Sequence, residues 1–169
     1  MATTAAGRRQ GPEIWLRGPV PPPEQDPPTS SPADRHFSWV ATHGGAGAST
    51  LATVYGGHDS GRDWPGPADP PSVLLVARTH AAGLESVLRT LESFRQGEAP
   101  QGLGLDAVVL VADAPGRLPR QLVRHVKLIE SLVEVYRVPW VPAWRLGDLG
   151  GEPPRDTAAL ARLTGARAR

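Results

Sequence analysis

A chain of 169 residues with 40% hydrophobic side chains can bury one core, so a single domain with flexible additions is expected. A formal net charge of +1 gives no global attraction to nucleic acid or to a membrane surface, and any such contact must rest on local charge. The absence of cysteine excludes disulfides and thiolate metal sites and suits a reducing cytoplasm, where the protein is expected; no apolar run approaches the ~18 residues of a membrane span. Met1 to Gln10 lacks an apolar segment, so no secretory leader is expected.

Residues 1–35 carry Pro12, Pro19, Pro21 to Pro23, Pro27, Pro28 and Pro32 among Ser, Gln and Glu, a composition that cannot pack a core. A disordered, proline-rich tail is the reading. Within it Glu13-Ile14-Trp15-Leu16 is a small apolar island that can dock on a partner or back onto its own domain. The α/β domain is placed at 36–165, with a basic C-terminal tail at 166–169.

Phe37 to Ala41 reads as a first strand, apolar almost throughout, as a parallel strand covered on both faces should be. Thr42-His43-Gly44-Gly45-Ala46-Gly47-Ala48-Ser49-Thr50 follows as a glycine-rich turn opening a helix. Such a turn aims several backbone N–H groups at one point, where the positive end of the helix dipole also acts, and so forms a phosphate cradle. The helix can reach only Tyr55 before Gly56-Gly57, and His58 to Pro71 reads as a long proline-stiffened loop. Val73 to Ala77 is a buried strand. The helix after it has Leu84, Val87, Leu88, Leu91 and Phe94 on one face. Ala107 to Ala112 is the next strand, ending at Asp113-Ala114-Pro115-Gly116. A helix over Pro119 to Leu132 has an inner stripe of Leu118, Leu122, Val126, Ile129 and Val133; Glu134 to Pro139 is a fourth strand, Trp140 to Trp144 an irregular aromatic loop, and Asp156 to Thr164 a short helix.

This alternation predicts a three-layer α/β fold with a mostly parallel sheet. Ligands of such sheets lie at the carboxyl ends of the strands, here His43 to Ser49, Arg78 to His80, Asp113 to Gly116 and Pro139 to Trp144.

The loop His43-Gly44-Gly45-Ala46-Gly47-Ala48-Ser49 resembles the Lys-Gly-Gly-x-Gly-Lys-Ser/Thr loop of the deviant Walker A ATPases related to ParA and MinD. Asp113-Ala114-Pro115-Gly116 is similar to the Asp-x-Pro-x-Gly that closes a core strand in that family, and Val138-Pro139 looks like its element beside the adenine. The stretches around Asp113 to Pro119 and Pro139 to Arg145 also resemble actinobacterial proteins described as ATP/GTP-binding. The resemblance implies a P-loop NTPase topology, ATP or GTP with Mg²⁺ as cofactor, nucleotide contacts from His43, Gly44, Gly45, Ala46, Gly47, Ala48, Ser49, Thr50, Asp113 and Pro139, and Mg²⁺ held by Ser49 and Asp113. It also implies partner proteins, a possible homodimer, and work in DNA or plasmid segregation, transfer or positioning.

The loop departs from the family in three places, one of them Thr42, which stands where a further glycine is common. Ala48 replaces the lysine that bridges the β and γ phosphates, and His43 replaces the signature lysine. Phosphoryl transfer depends on fixed positive charge, and losing one preorganised donor costs about 10²–10³ in rate. Binding without turnover, a pseudo-ATPase, is therefore expected, with Asp113 the one catalytic candidate. A slow ATPase whose lysine is replaced in trans, or by Arg78 or Arg117 from a neighbouring loop, and a scaffold with an empty site, are the alternatives. Arg117, Arg120, Arg124 and Lys127 recur three or four residues apart and could touch DNA phosphates or an acidic membrane surface, although such a stripe also serves as a solvated face. His58, Asp59, His80 and Asp113 show no ligand periodicity, so no metal cluster is expected among them.

Overall fold

The computed structural model describes residues 37–166. The tail expected over 1–35, with its Glu13 to Leu16 island, and residues 167–169 of the basic tail lie outside them. Five strands form one sheet: β1 (Phe37–Ala41), β2 (His58–Asp59), β3 (Ser72–Arg78), β4 (Gly104–Val111) and β5 (Val135–Val138). Their order is β2-β1-β3-β4-β5, and every pairing is parallel. The expected α/β sheet is present.

Both faces are covered, which is why the strands are apolar throughout rather than alternating. On β3, Leu74 and Val76 point into one core while Val73, Leu75 and Ala77 point into the other. The first core holds Trp39, Leu51, Tyr55 and Leu160, contributed in part by helices α1 (Ala48–Tyr55) and α5 (Ala158–Thr164). The second holds Leu84, Val87, Leu91, Val126 and Ile129 from α2 (Ala81–Arg95) and α3 (Arg120–Glu130). The stripe expected on the third helix packs as read: Val126 and Ile129 are buried, and Leu118, Leu122 and Val133 lean against them.

Two segments read as loop are ordered elements. Gly56 and Gly57, both at positive φ, turn the chain back so sharply that His58 and Asp59 pair with Ser38 and Trp39 as the edge strand β2. The aromatic stretch after β5 contains α4 (Pro142–Arg145), which begins on a proline whose fixed φ already suits a first helical turn. Trp144 of α4 packs against the first core.

The strand order decides where a ligand can sit. The chain runs from β1 outward to β2, then returns past β1 to β3 and continues to β4 and β5. The segment after β1 leaves toward the α1 face and the one after β3 toward the α2 face, so a crevice opens between their carboxyl ends.

Candidate phosphate-binding site

The glycine loop lies in that crevice. Gly45 and Gly47 have φ of 75° and 107°, left-handed conformations that a side chain resists, and Gly47 is the N-cap of α1. The loop closes with the Ala46 N–H donating to His43 O at 3.3 Å and the Leu51 N–H to Gly47 O at 3.0 Å. Gly47 has no side chain to cap α1, and no acidic residue stands in the helix's first turn. The opening N–H groups of a helix lack intrahelical partners, so this end offers donors and positive potential to an anion. Residues His43 to Thr50, with Ala41, Gly61, Arg62 and Arg78, line a cavity of about 400 Å³.

His43 and Arg78 tie this loop to the neighbouring strand. The Arg78 backbone N–H donates to His43 Nε2 at 3.0 Å, which makes that nitrogen the acceptor and leaves the ring proton on Nδ1, donated to Gly44 O at 2.9 Å. His43 is thus a clasp between the ends of β1 and β3. Its ring lies 5.0 Å, centroid to centroid, from that of His80, whose Nδ1 accepts the Gly83 N–H and caps α2. Gly83 permits this approach, because a Cβ there would lie 2.3 Å from Arg78 O and 3.0 Å from His43 Nε2. Thr42, where the family commonly has another glycine, bonds through its hydroxyl to Ser86 of α2 at 2.7 Å.

The Arg78 side chain crosses the crevice. Its Nε donates to Gly45 O at 3.3 Å and its Nη1 to Ala112 O at 3.1 Å, joining the loop after β1 to the end of β4. Burial pushes its pKa down, the nearby Arg145 guanidinium adds to that, and Asp113 partly offsets both. Two guanidiniums close together with one carboxylate leave positive charge uncompensated beside the loop, which an anion would balance.

The other expected site residues are placed elsewhere. Asp113 is exposed at the end of β4, its N–H bonded to Thr79 Oγ1 at 3.1 Å, and β3 separates it from β1. At the usual interstrand spacing, two strands over is about 10 Å. Asp113 and Pro139 line a second cavity of about 490 Å³ between the ends of β4 and β5, walled by Leu110, Leu118, Leu122 and Val126 and rimmed by Arg117, Arg137 and Asp156. Pro139 also reaches a gap of about 30 Å³, room for a water, that it shares with Gly47, Thr50, Arg78 and Trp144. The Arg145 guanidinium lies 4.4 Å over the Trp140 ring. Ala48, at the lysine position of the resembled family, is 4% exposed and packs into the first core under the loop.

The two residues expected to hold Mg²⁺ therefore open onto different cavities, Ser49 onto the loop's and Asp113 onto the other. Among the described residues no group of three His, Cys, Asp or Glu could hold a metal ion. His58 Nε2 lies 3.5 Å from Asp69 Oδ1. Arg120, Arg124 and Lys127 are exposed along α3, whereas Arg117 precedes the helix and lines the second cavity. Arg62 and Arg78 are the cationic residues the loop gains from the fold. Arg78 was legible as a residue at a strand's carboxyl end and as a stand-in for the missing lysine, whereas Arg62 carried no signal at all.

Among the described residues no helix is long and apolar enough to cross a membrane. No protein-family model, curated protein or solved structure matches this chain. The fold and the loop define a class at the level of an all-parallel α/β protein with an uncapped glycine turn at its topological switch point.

Proposed function

We propose that this chain is a nucleotide-binding module of the P-loop NTPase type, a pseudo-ATPase that holds the phosphates of ATP or GTP without hydrolysing them and acts on partner proteins in the cytoplasm. One observation carries the reading: the uncapped start of α1, the left-handed Gly45 and Gly47, and the side chains of Arg62 and Arg78 meet at one cavity at the β1/β3 switch point. Backbone donors and guanidinium groups are what a phosphate needs. Turnover would need the lysine that Ala48 replaces, with a base or metal beside the transferred group. The resemblance to ParA and MinD proteins supports a role in segregation, transfer or positioning with a second copy as partner, and with DNA or an acidic membrane surface contacted through Arg120, Arg124 and Lys127 on α3 and Arg117 ahead of it.

Calorimetric titration of the full chain with ATP and ADP tests this. Gly44 has ordinary backbone φ and open space around its missing Cβ, so Gly44→Glu brings a carboxylate to the loop without strain. Saturable binding by the wild type, lost in Gly44→Glu and unaccompanied by phosphate release, is the expected result. A wild type that binds neither nucleotide, or a Gly44→Glu variant that binds as tightly, overturns the reading.

A further inference from the structure

P-loop NTPases bind their nucleotide with Mg²⁺, and the donors around this loop do not suit that ion. Mg²⁺ demands near-octahedral oxygen coordination, commonly one or two carboxylates together with substrate phosphates and waters. Ser49 and Thr50 offer hydroxyl oxygens, but among the described residues no Asp or Glu lines the loop cavity, whose charged side chains are Arg62 and Arg78. Asp59, at the end of neighbouring β2, uses Oδ1 to accept the Gly61 N–H. Asp113 stands across β3, and the side chain between it and the loop is Arg78, bonded to Gly45 O on one side and Ala112 O on the other.

We infer that the loop cavity takes its phosphate ligand as the free anion, without Mg²⁺, the Arg78 guanidinium holding the place between the loop and Asp113 that a bridging metal would fill. This rests on the phosphate reading of the same loop. Electrostatics give it a direction. Mg²⁺ chelated by a diphosphate removes two units of its negative charge and brings a cation toward two guanidiniums, so the chelate binds less well than the free anion. The site is then a sensor or carrier of metal-free phosphate rather than a centre for phosphoryl transfer.

The test is titration of the full chain with ADP and with pyrophosphate, in EDTA and again in excess Mg²⁺. Affinity in EDTA should exceed that in Mg²⁺. Arg78→Gln should weaken the EDTA-state affinity about tenfold or more, the loss expected for a charge-assisted contact. Should that variant fail to fold, Arg62→Gln, at an exposed position, should lower the same affinity. Tighter binding by threefold or more on adding Mg²⁺ overturns the inference and leaves the phosphate reading standing; removal of that gain by Asp113→Asn would identify the metal's ligand. Binding under neither condition removes the phosphate reading and this inference together.

Discussion

The two cavities at the carboxyl edge differ in kind more than in size. The larger, about 490 Å³ between β4 and β5, has leucine and valine walls and a rim of both charges, with Asp113 and Asp156 against Arg117 and Arg137. The smaller, about 400 Å³ at the switch point, has backbone amides and, among the described residues, one sign of side-chain charge. Volume alone would favour the first. Yet the first contains no set of groups that agree on one ligand, and Arg137 is already paired with Glu130 at 2.5 Å. In the second, helix dipole, glycine geometry and guanidinium charge all favour an anion. Convergence of independent chemical preferences, rather than room, separates a site from a gap.

The widest difference should appear on truncating what lies beneath each cavity. Trp39 is wholly buried beside Tyr55 and donates from Nε1 to Gly56 O at 2.6 Å, fastening β1 to the end of α1. Trp39→Ala should cost about 3–5 kcal/mol in urea unfolding and abolish nucleotide binding with it. Gly83→Ala comes next. The new methyl would overlap Arg78 O and press on His43, at about 1–3 kcal/mol, and should weaken ADP binding beyond its effect on stability because the clasp sets the position of Arg78. Leu118→Ala, in the half-buried wall of the larger cavity, should cost about 1–2 kcal/mol and leave ADP affinity at the wild-type value. If Leu118→Ala impaired ADP binding as Gly83→Ala does, the separation of the two cavities would be wrong.

Local pattern carried most of the elements. Continuous apolar runs marked β1, β3 and β4 because both faces of the sheet are covered, and period-3.6 stripes marked α2 and α3. The glycine turn was legible because its conformations demand glycine. What stayed hidden depends on which strands become neighbours. A two-residue strand such as β2 has no periodicity of its own; it exists because Trp39 and Ser38 present an open edge. Asp113 looked like a partner for Ser49, but β3 lies between their strands, and nothing local in the chain announces that order. For the same reason the reach of Arg78 across the crevice, to carbonyls 33 and 34 residues away in sequence, was invisible.

The smallest effect concerns a side-chain hydrogen bond that ties the loop's helix to the neighbourhood of the larger cavity. Tyr55, the last residue of α1, is wholly buried and bonds through its hydroxyl to Thr157 Oγ1 at 2.6 Å; Thr157 in turn donates to Pro154 O at 2.7 Å, fixing the 3₁₀ turn Arg155–Thr157 that brings Asp156 to that cavity's rim. Tyr55→Phe should cost about 0.5–1.5 kcal/mol, the net worth of one such hydrogen bond. Burial raises the Tyr55 pKa above its ordinary value of 10.0, with the Thr157 bond opposing. The folded state therefore keeps this proton where the unfolded chain releases it. Its contribution is complete below pH 10.0 and is lost as pH rises through the higher folded value, so stability should fall on the alkaline side. Urea midpoints of wild type and Tyr55→Phe measured across that range should converge as pH rises, since the variant has no proton at this position to lose. Parallel curves would mean that Tyr55 is not held neutral by its surroundings.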